Sequence, residues 1–285
     1  MNTPTALCTW LDQAWNEHAD ATERVAGELA ERAATLPDDA DGAGVLRLAA
    51  HTLLAHQADT AAMQRLLAQV PPGETLAAAA RPARWALAEL DGGAEPPPVS
   101  DRERWAALEY VALVLVARGQ AAQAQLRLLA EEDAAAAHPD EATRRAYAAS
   151  ANNVAGSLRE GPRGDAGRDA LMLAAAQLAR RAWQRAGTWL QVERADYFLA
   201  LCHVALGQGA EATVSAQACL ARCEAEGADA YELFFAHECC MQAQHAAGNG
   251  VLAAQHRTQM ATLLARIDDD GNRRYAAGVL AKAAP

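Results

Sequence analysis

The 285-residue chain carries 25 basic and 36 acidic side chains, for a net charge of −11, and 52% of it is hydrophobic. Much of that fraction is alanine, aromatics make up 5%, and Ile267 is the lone isoleucine. Such a composition excludes a large β-sheet, extended disorder and a general nucleic-acid coat.

Apolar residues recur at helical spacing almost throughout. Leu108, Val111, Ala112 and Leu115 follow i, i+3, i+4, i+7, and Leu171, Ala174, Ala175, Leu178 and Ala182 do the same. The pattern predicts an all-α chain of about thirteen helices. They fall near 3–18, 20–36, 43–57, 59–70, 73–90, 100–118, 120–137, 140–160, 165–187, 188–207, 209–226, 228–248 and 250–267. Ser100 with Glu103 reads as a capping box. Gly119, Gly187, Gly207 and Gly248 stand where helices should stop. Residues 91–99, DGGAEPPPV, cannot be helical and read as a linker. It separates N-terminal helical hairpins (1–90) from a main array (100–267). The last segment, 268–285, reads as a capping helix or a tail. Long helices joined by one to three residues must fold back antiparallel, and stacked hairpins of this kind make a solenoid.

Aligning the turn glycines exposes a repeat. Seven residues before Gly119, Gly207 and Gly248 stand Ala112, Ala200 and Met241; five residues after them stand Ala124, Ala212 and Ala253. Small side chains are needed where two helices of a hairpin cross closely. The pattern resembles the tetratricopeptide repeat. Segments 188–226 and 228–267 match best and 100–137 well, while 3–36 and 43–70 match weakly, through Ala50 and Ala62. Segment 140–187 fits through Asn152-Asn153-Val154-Ala155, which resembles the Asn-Asn-Leu-Ala run of kinesin-light-chain-style repeats. The early helix A tryptophan is absent, and so is the terminal proline of most units. The resemblance implies a right-handed superhelix with a concave groove for peptides or protein segments.

Function is expected from that groove. Between Arg144 and Arg194 lie nine arginines and four acidic residues, a local balance of +5 against −16 elsewhere. A basic island steers acidic partners, although Arg180, Arg181 and Arg185 lie mostly opposite an apolar stripe. The resemblance implies Arg145, Asn152, Asn153, Arg159, Arg194 and Tyr197 as partner-binding residues, with Asn153 and Arg194 in one concavity. Amides and guanidinium groups there would hold a backbone or a terminal carboxylate. Glu109 departs from the clamp pattern by standing where a base is wanted. An asparagine inside a helix also fits an interhelical structural hydrogen bond. The expected partner is a protein or peptide, acidic or bearing a free C-terminal carboxylate, with no nucleic acid and no membrane. The leading expectation is a non-catalytic adaptor.

The alternative is a regulatory sensor acting through Cys202, His203, Cys219, Cys223, His237, Glu238, Cys239 and Cys240. No Cys-x-x-Cys knuckle is present, so core packing is the expectation there, with no metal and no cofactor. His51 and His56, five apart, should diverge on an α-helix rather than pair. Gly161 to Gly167 lacks the lysine of a phosphate loop, and Asp268–Asp270 lacks the spacing of a calcium loop. No catalytic serine or zinc-protease motif occurs. The six tryptophans read as packing anchors. The first basic residue is Arg24 and no apolar run spans a bilayer, so a reduced cytoplasmic location is expected. Twenty-four arginines against the single Lys282 fit a GC-rich bacterial source.

Overall fold

The computed structural model describes residues 6–92 and 96–283. Gly93, Ala94 and Glu95 of the expected linker lie outside the described residues, as do 1–5 and 284–285. Among the described residues every regular element is helical. In chain order these are α1 (Ala6–Glu17), α2 (Thr22–Arg32), α3 (Ala40–Ala50), α4 (Thr60–Gln69), α5 (Glu74–Asp91), α6 (Asp101–Ala117), α7 (Ala121–Leu129) and α8 (Glu132–Ala137). There follow α9 (Glu141–Glu160), α10 (Ala166–Ala186), α11 (Trp189–Ala205), α12 (Gly209–Glu226), α13 (Ala230–Ala246), α14 (Gly250–Leu264) and α15 (Asp270–Lys282). Among the described residues no helix is long and apolar enough to cross a membrane.

The fifteen α-helices of the described residues differ from the expected thirteen at two places. The 120–137 segment breaks between α7 and α8, where Trp105 Nε1 donates to Glu131 at 2.9 Å and Arg104 pairs with the same carboxylate. The tail folds as α15, capped by Asp269, whose side chain accepts from the Asn272 N–H. The capping box at Ser100 forms as the sequence predicts.

The chain divides into two compact units, Met1–Ser157 and Leu158–Pro285. In the first, α5 and α6 pack together, so the linker lies inside one unit rather than between two. Its core is a leucine-rich cluster built on Leu29, Leu46, Leu48, Leu54, Met63 and Leu76. In the second, α10 to α14 pack in sequence as antiparallel neighbours, and α15 closes on α13 and α14.

The hairpin turns are alike. Gly119, Gly207 and Gly248 take φ of +74°, +69° and +77°. After each, the next N–H reaches back to a carbonyl five residues earlier: Gln120 to Leu115, Gln208 to His203 and Asn249 to Gln244. That is the Schellman closure, and it needs a residue that enters the left-handed region without strain. The crossing residues Ala112, Ala200, Ala212 and Ala253 are all buried, as the repeat alignment predicts. At the α12 N-terminus the approach is closer still. A Cβ on Gly209 would sit 2.5 Å from the Ala247 nitrogen.

One local element departs from the sequence reading. His51–His56 is a π-helical turn continuing α3, not an α-helix. Its signature bond runs from the Gln57 N–H to the Thr52 carbonyl at 3.1 Å. Five α-helical residues would leave His51 and His56 about 140° apart. An i→i+5 turn returns the fifth residue nearly above the first. The two rings therefore converge, with Nε2 to Nε2 at 3.2 Å, instead of diverging. Ala58, just after the turn, holds φ +52°, the sole non-glycine left-handed residue described. Trp15 also departs from its expected role. It is 38% exposed and lies against His18 and His51 rather than anchoring the core.

Two stability outcomes follow from this packing. Ala212→Leu should destabilise the protein by about 1–3 kcal/mol through overpacking, whereas Val214→Ala on the open side of the same helix should change little. Ala58→Gly should stabilise it by about 1 kcal/mol, because glycine meets no Cβ penalty at positive φ. Urea melts of the three variants check both.

Candidate functional site

In the second unit, the first helix of each successive hairpin contributes one face to a shared cleft. Glu193, Arg194, Tyr197 and Phe198 stand at i, i+1, i+4 and i+5 of α11, which places them on one side of the helix. Tyr231, Glu232 and Phe235 repeat i, i+1, i+4 on α13, and Tyr275 comes from α15. Together they line an open cleft of about 310 Å³. Its wall is aromatic. Phe235 makes an edge contact with Tyr231 at 4.9 Å between centroids, another with Tyr197 at 6.4 Å, and a tilted one with Tyr275 at 5.9 Å. Tyr275 is 62% exposed. At the rim Arg194 pairs with Glu232. The Arg159 guanidinium lies 5.6 Å from the Phe198 ring centre, a cation–π geometry.

Buried carboxylates on the same helices lie next to the cleft. Tyr197 donates its hydroxyl to Glu238 Oε2 at 2.8 Å, and Gln242 donates to the other oxygen of that carboxylate. Burial pushes the Glu238 pKa up, and the tyrosine and glutamine hydrogen bonds oppose it. Burial also raises the Tyr197 phenol, with the Glu238 charge adding to it. Glu193, buried beside Arg194, accepts from the Cys219 thiol at 2.8 Å, and burial is the chief reason its pKa rises. Asp196, also buried, holds Arg180 at 2.8 Å and Arg222 at 3.4 Å. Farther along α11, α13 and α15 a second cleft of about 590 Å³ opens, with Val204, Met241 and Val279 among its lining residues and Lys282 at its end. Aromatic faces, one guanidinium and apolar hollows suit recognition of another chain.

Of the residues expected from sequence, Arg194 and Tyr197 line the aromatic cleft, and Arg159 stacks on one of its members. Arg145 pairs with Glu141 one turn earlier on α9. Asn152 is half-buried on α9. Asn153 belongs to the first unit, where its Nδ2 donates to Glu109 Oε2 at 2.7 Å, the interhelical bond that an asparagine in a helix allows. Arg180 does not simply face solvent, since it binds buried Asp196.

Phe198, Tyr231, Glu232, Phe235 and Tyr275 escaped the sequence reading. The turn glycines Gly207 and Gly248 are 41 residues apart, yet Arg194 meets Glu232, 38 residues on. Neighbouring first helices are offset by almost one turn where they touch. An alignment on the turns pairs Tyr197 with Glu238, 41 residues on, and only a search at a spacing of 38 pairs Tyr197 with Phe235. No family model matches the chain, and no curated protein matches it either.

The cysteines of the alternative site are packed as small apolar groups. All are free thiols, and Cys202, Cys219, Cys223, Cys239 and Cys240 are buried. Burial lifts the Cys202 pKa to about 11 and that of Cys240 to about 12. At Cys219 a hydrogen bond with Cys223 lowers the pKa, but contact with Cys239 and burial raise it further. A thiol held protonated is a poor nucleophile and a poor metal ligand.

His237 and His256 face each other with Nδ1 to Nδ1 at 2.9 Å. Loss of water around His237, and then the His256 charge, lowers its pKa from 6.5 to about 4, and loss of water also lowers His256. Between pH 6.5 and 4 the unfolded chain then binds more protons here than the folded one, so stability falls as pH falls through that window. His237→Gln removes this penalty. Urea melts at pH 7.5 and 4.5 should show the wild type losing more stability than His237→Gln, and an NMR titration should place the His237 midpoint near 4.

Proposed function

We propose that the second unit is a tetratricopeptide-like module that binds an extended segment of a protein partner on the face made by α11, α13 and α15. The observation that supports this reading is the aromatic cleft itself. Tyr197, Tyr231 and Phe235, each half-buried, come together with exposed Tyr275 and one cation at the rim. Aromatic and arginine side chains around a hollow are the usual anchors of protein interfaces. The partner places an apolar side chain against Phe235 and a carboxylate beside it. That carboxylate competes with Glu232 for Arg194, exchanging one charge-assisted hydrogen bond for another. The exchange makes the acidic group a selector more than a source of affinity. The chain acts as an adaptor without chemistry of its own.

Peptides selected from a random display library on the purified full chain should be enriched in an apolar residue next to an acidic one. Tyr275→Ala and Arg194→Glu should each weaken the selected peptide tenfold or more, and association should slow as salt rises. Arg185→Glu, on an exposed stretch of α10, should stay within twofold. Equal losses at Arg194 and Arg185 would reduce the interaction to general charge and remove the cleft from the account.

A further inference from the structure

Three histidines of the first unit point to a function that the groove does not involve. His18 follows the end of α1, and His51 and His56 are the first and last residues of the π turn. One ring nitrogen from each lies within 4.8 Å of the other two. The ring centres are 4.8–5.0 Å apart around the triangle. The tautomers follow from the partners. His51 Nδ1 faces Glu109 Oε1 at 3.0 Å and His18 Nδ1 faces the Trp15 carbonyl at 2.6 Å. Carboxylate and carbonyl oxygens only accept, so both Nδ1 atoms carry the proton. A neutral ring then leaves Nε2 as a bare lone pair. His51 Nε2 is aimed at His56 Nε2, 3.2 Å away.

We propose that His18, His51 and His56 are the three protein ligands of a divalent transition metal of the zinc class. Zn–N bonds of 2.0–2.1 Å in a tetrahedron set neighbouring ligand nitrogens about 3.3 Å apart. His51 and His56 already stand at that separation, and a small rotation of half-buried His18 closes the third side. The outer shell is in place as well. Glu109 is buried, accepts from His51 through one oxygen and from Asn153 through the other, and so fixes the ring from behind. Carboxylate–histidine pairs of this kind orient metal ligands and raise their basicity. Three imidazoles select zinc, nickel or copper over magnesium or calcium. Two backbone irregularities, the π turn and the left-handed Ala58, bracket the ligands, and both kinds concentrate at functional sites. Three ligands leave a fourth position for water or an incoming group, and exposed His56 leaves it open to solvent. The proposal reverses the expectation of no metal drawn from sequence spacing alone.

The test uses the full chain, stripped with chelator, then titrated with zinc chloride in a calorimeter and assayed for metal after desalting. One zinc per chain is expected. His51→Ala and His56→Ala should each weaken it at least a hundredfold, and Glu109→Gln about 10–100-fold. A His237→Ala/His256→Ala double variant should bind as the wild type does. Two further measurements do not depend on the histidine and Glu109 variants folding. Bound cobalt(II) should give visible d–d bands without a thiolate charge-transfer band. Copper(II) should quench part of the tryptophan fluorescence, and Trp15→Phe should lose that part, since Trp15 lies 5.3 and 5.5 Å from the His18 and His51 ring centres. No zinc retained at micromolar concentration, a thiolate band, or quenching unchanged in Trp15→Phe would each overturn the assignment.

Discussion

Two helices come within 8–10 Å only where the residue at the crossing is small. In this chain that residue is alanine: Ala112, Ala200, Ala212 and Ala253 are all buried at the hairpins. The choice has a cost. A buried methyl contributes about 0.8 kcal/mol, against 1.5–3 for a buried leucine or phenylalanine. Such a core depends on the number of close contacts more than on apolar area. It also has less room to absorb an added methylene than a leucine-rich core with flexible neighbours.

Close approach has a second consequence. It brings the middle of each first helix so near its neighbours that the side chains there meet other side chains rather than water. Ten residues before Gly119, Gly207 and Gly248 stand Glu109, Tyr197 and Glu238. The two glutamates are buried and the tyrosine is partly so. Each is satisfied by its neighbours: Glu109 by His51 and Asn153, and Glu238 by Tyr197 and Gln242. A buried carboxylate without partners would be strongly destabilising, so the polar slot also specifies which helix may pack there. One structural position thus serves two chemistries. In the first unit it steadies an imidazole, and in the second it supplies Tyr197 to the aromatic cleft and Glu238 as its partner.

How much of this was legible in the sequence depends on how local each signal is. Helix existence, the Ser100 cap, the turn glycines and the crossing alanines depend on residues within one or two turns of each other, and they were readable. The aromatic cleft depends on a stagger between helices, which repeat alignment hides. Arg194 and Tyr197 are named because the repeat resemblance implies a groove on that stretch of the chain. Phe235 carries no charge or polar group, and Tyr275 lies in the 268–285 segment read as a cap or tail, so neither stands out in the sequence. Buried Asp196 could not be told from a surface acid, because its partners Arg180 and Arg222 come from two other helices. The π turn was invisible for a different reason. HTLLAH has the leucines of any α-helix, and period counting assumes the α period throughout.

That turn is best understood through the carboxylate it serves. Glu109 sits buried on α6, and Asn153 satisfies only one of its oxygens. His51 reaches the other, and within the same turn His56 is brought over His51. Were residues 51–56 α-helical, keeping His51 on Glu109 would swing His56 about 140° away toward a different surface. Keeping the buried Leu53 and Leu54 in place leaves little freedom to rotate the whole segment instead. The left-handed Ala58 then returns the chain to α4, at a cost of roughly 1–2 kcal/mol that a regular turn would not incur. Core burial alone does not require either irregularity, since the leucines would be buried in an α-helix as well. What both accomplish together is the meeting of His51 with His56, and His18 joins them from α1's end. Part of that cost is offset where Ala58 stands, since the Asp59 N–H closes the turn on the Leu53 carbonyl at 2.8 Å; the convergence of the imidazoles is what the π turn adds to this closure.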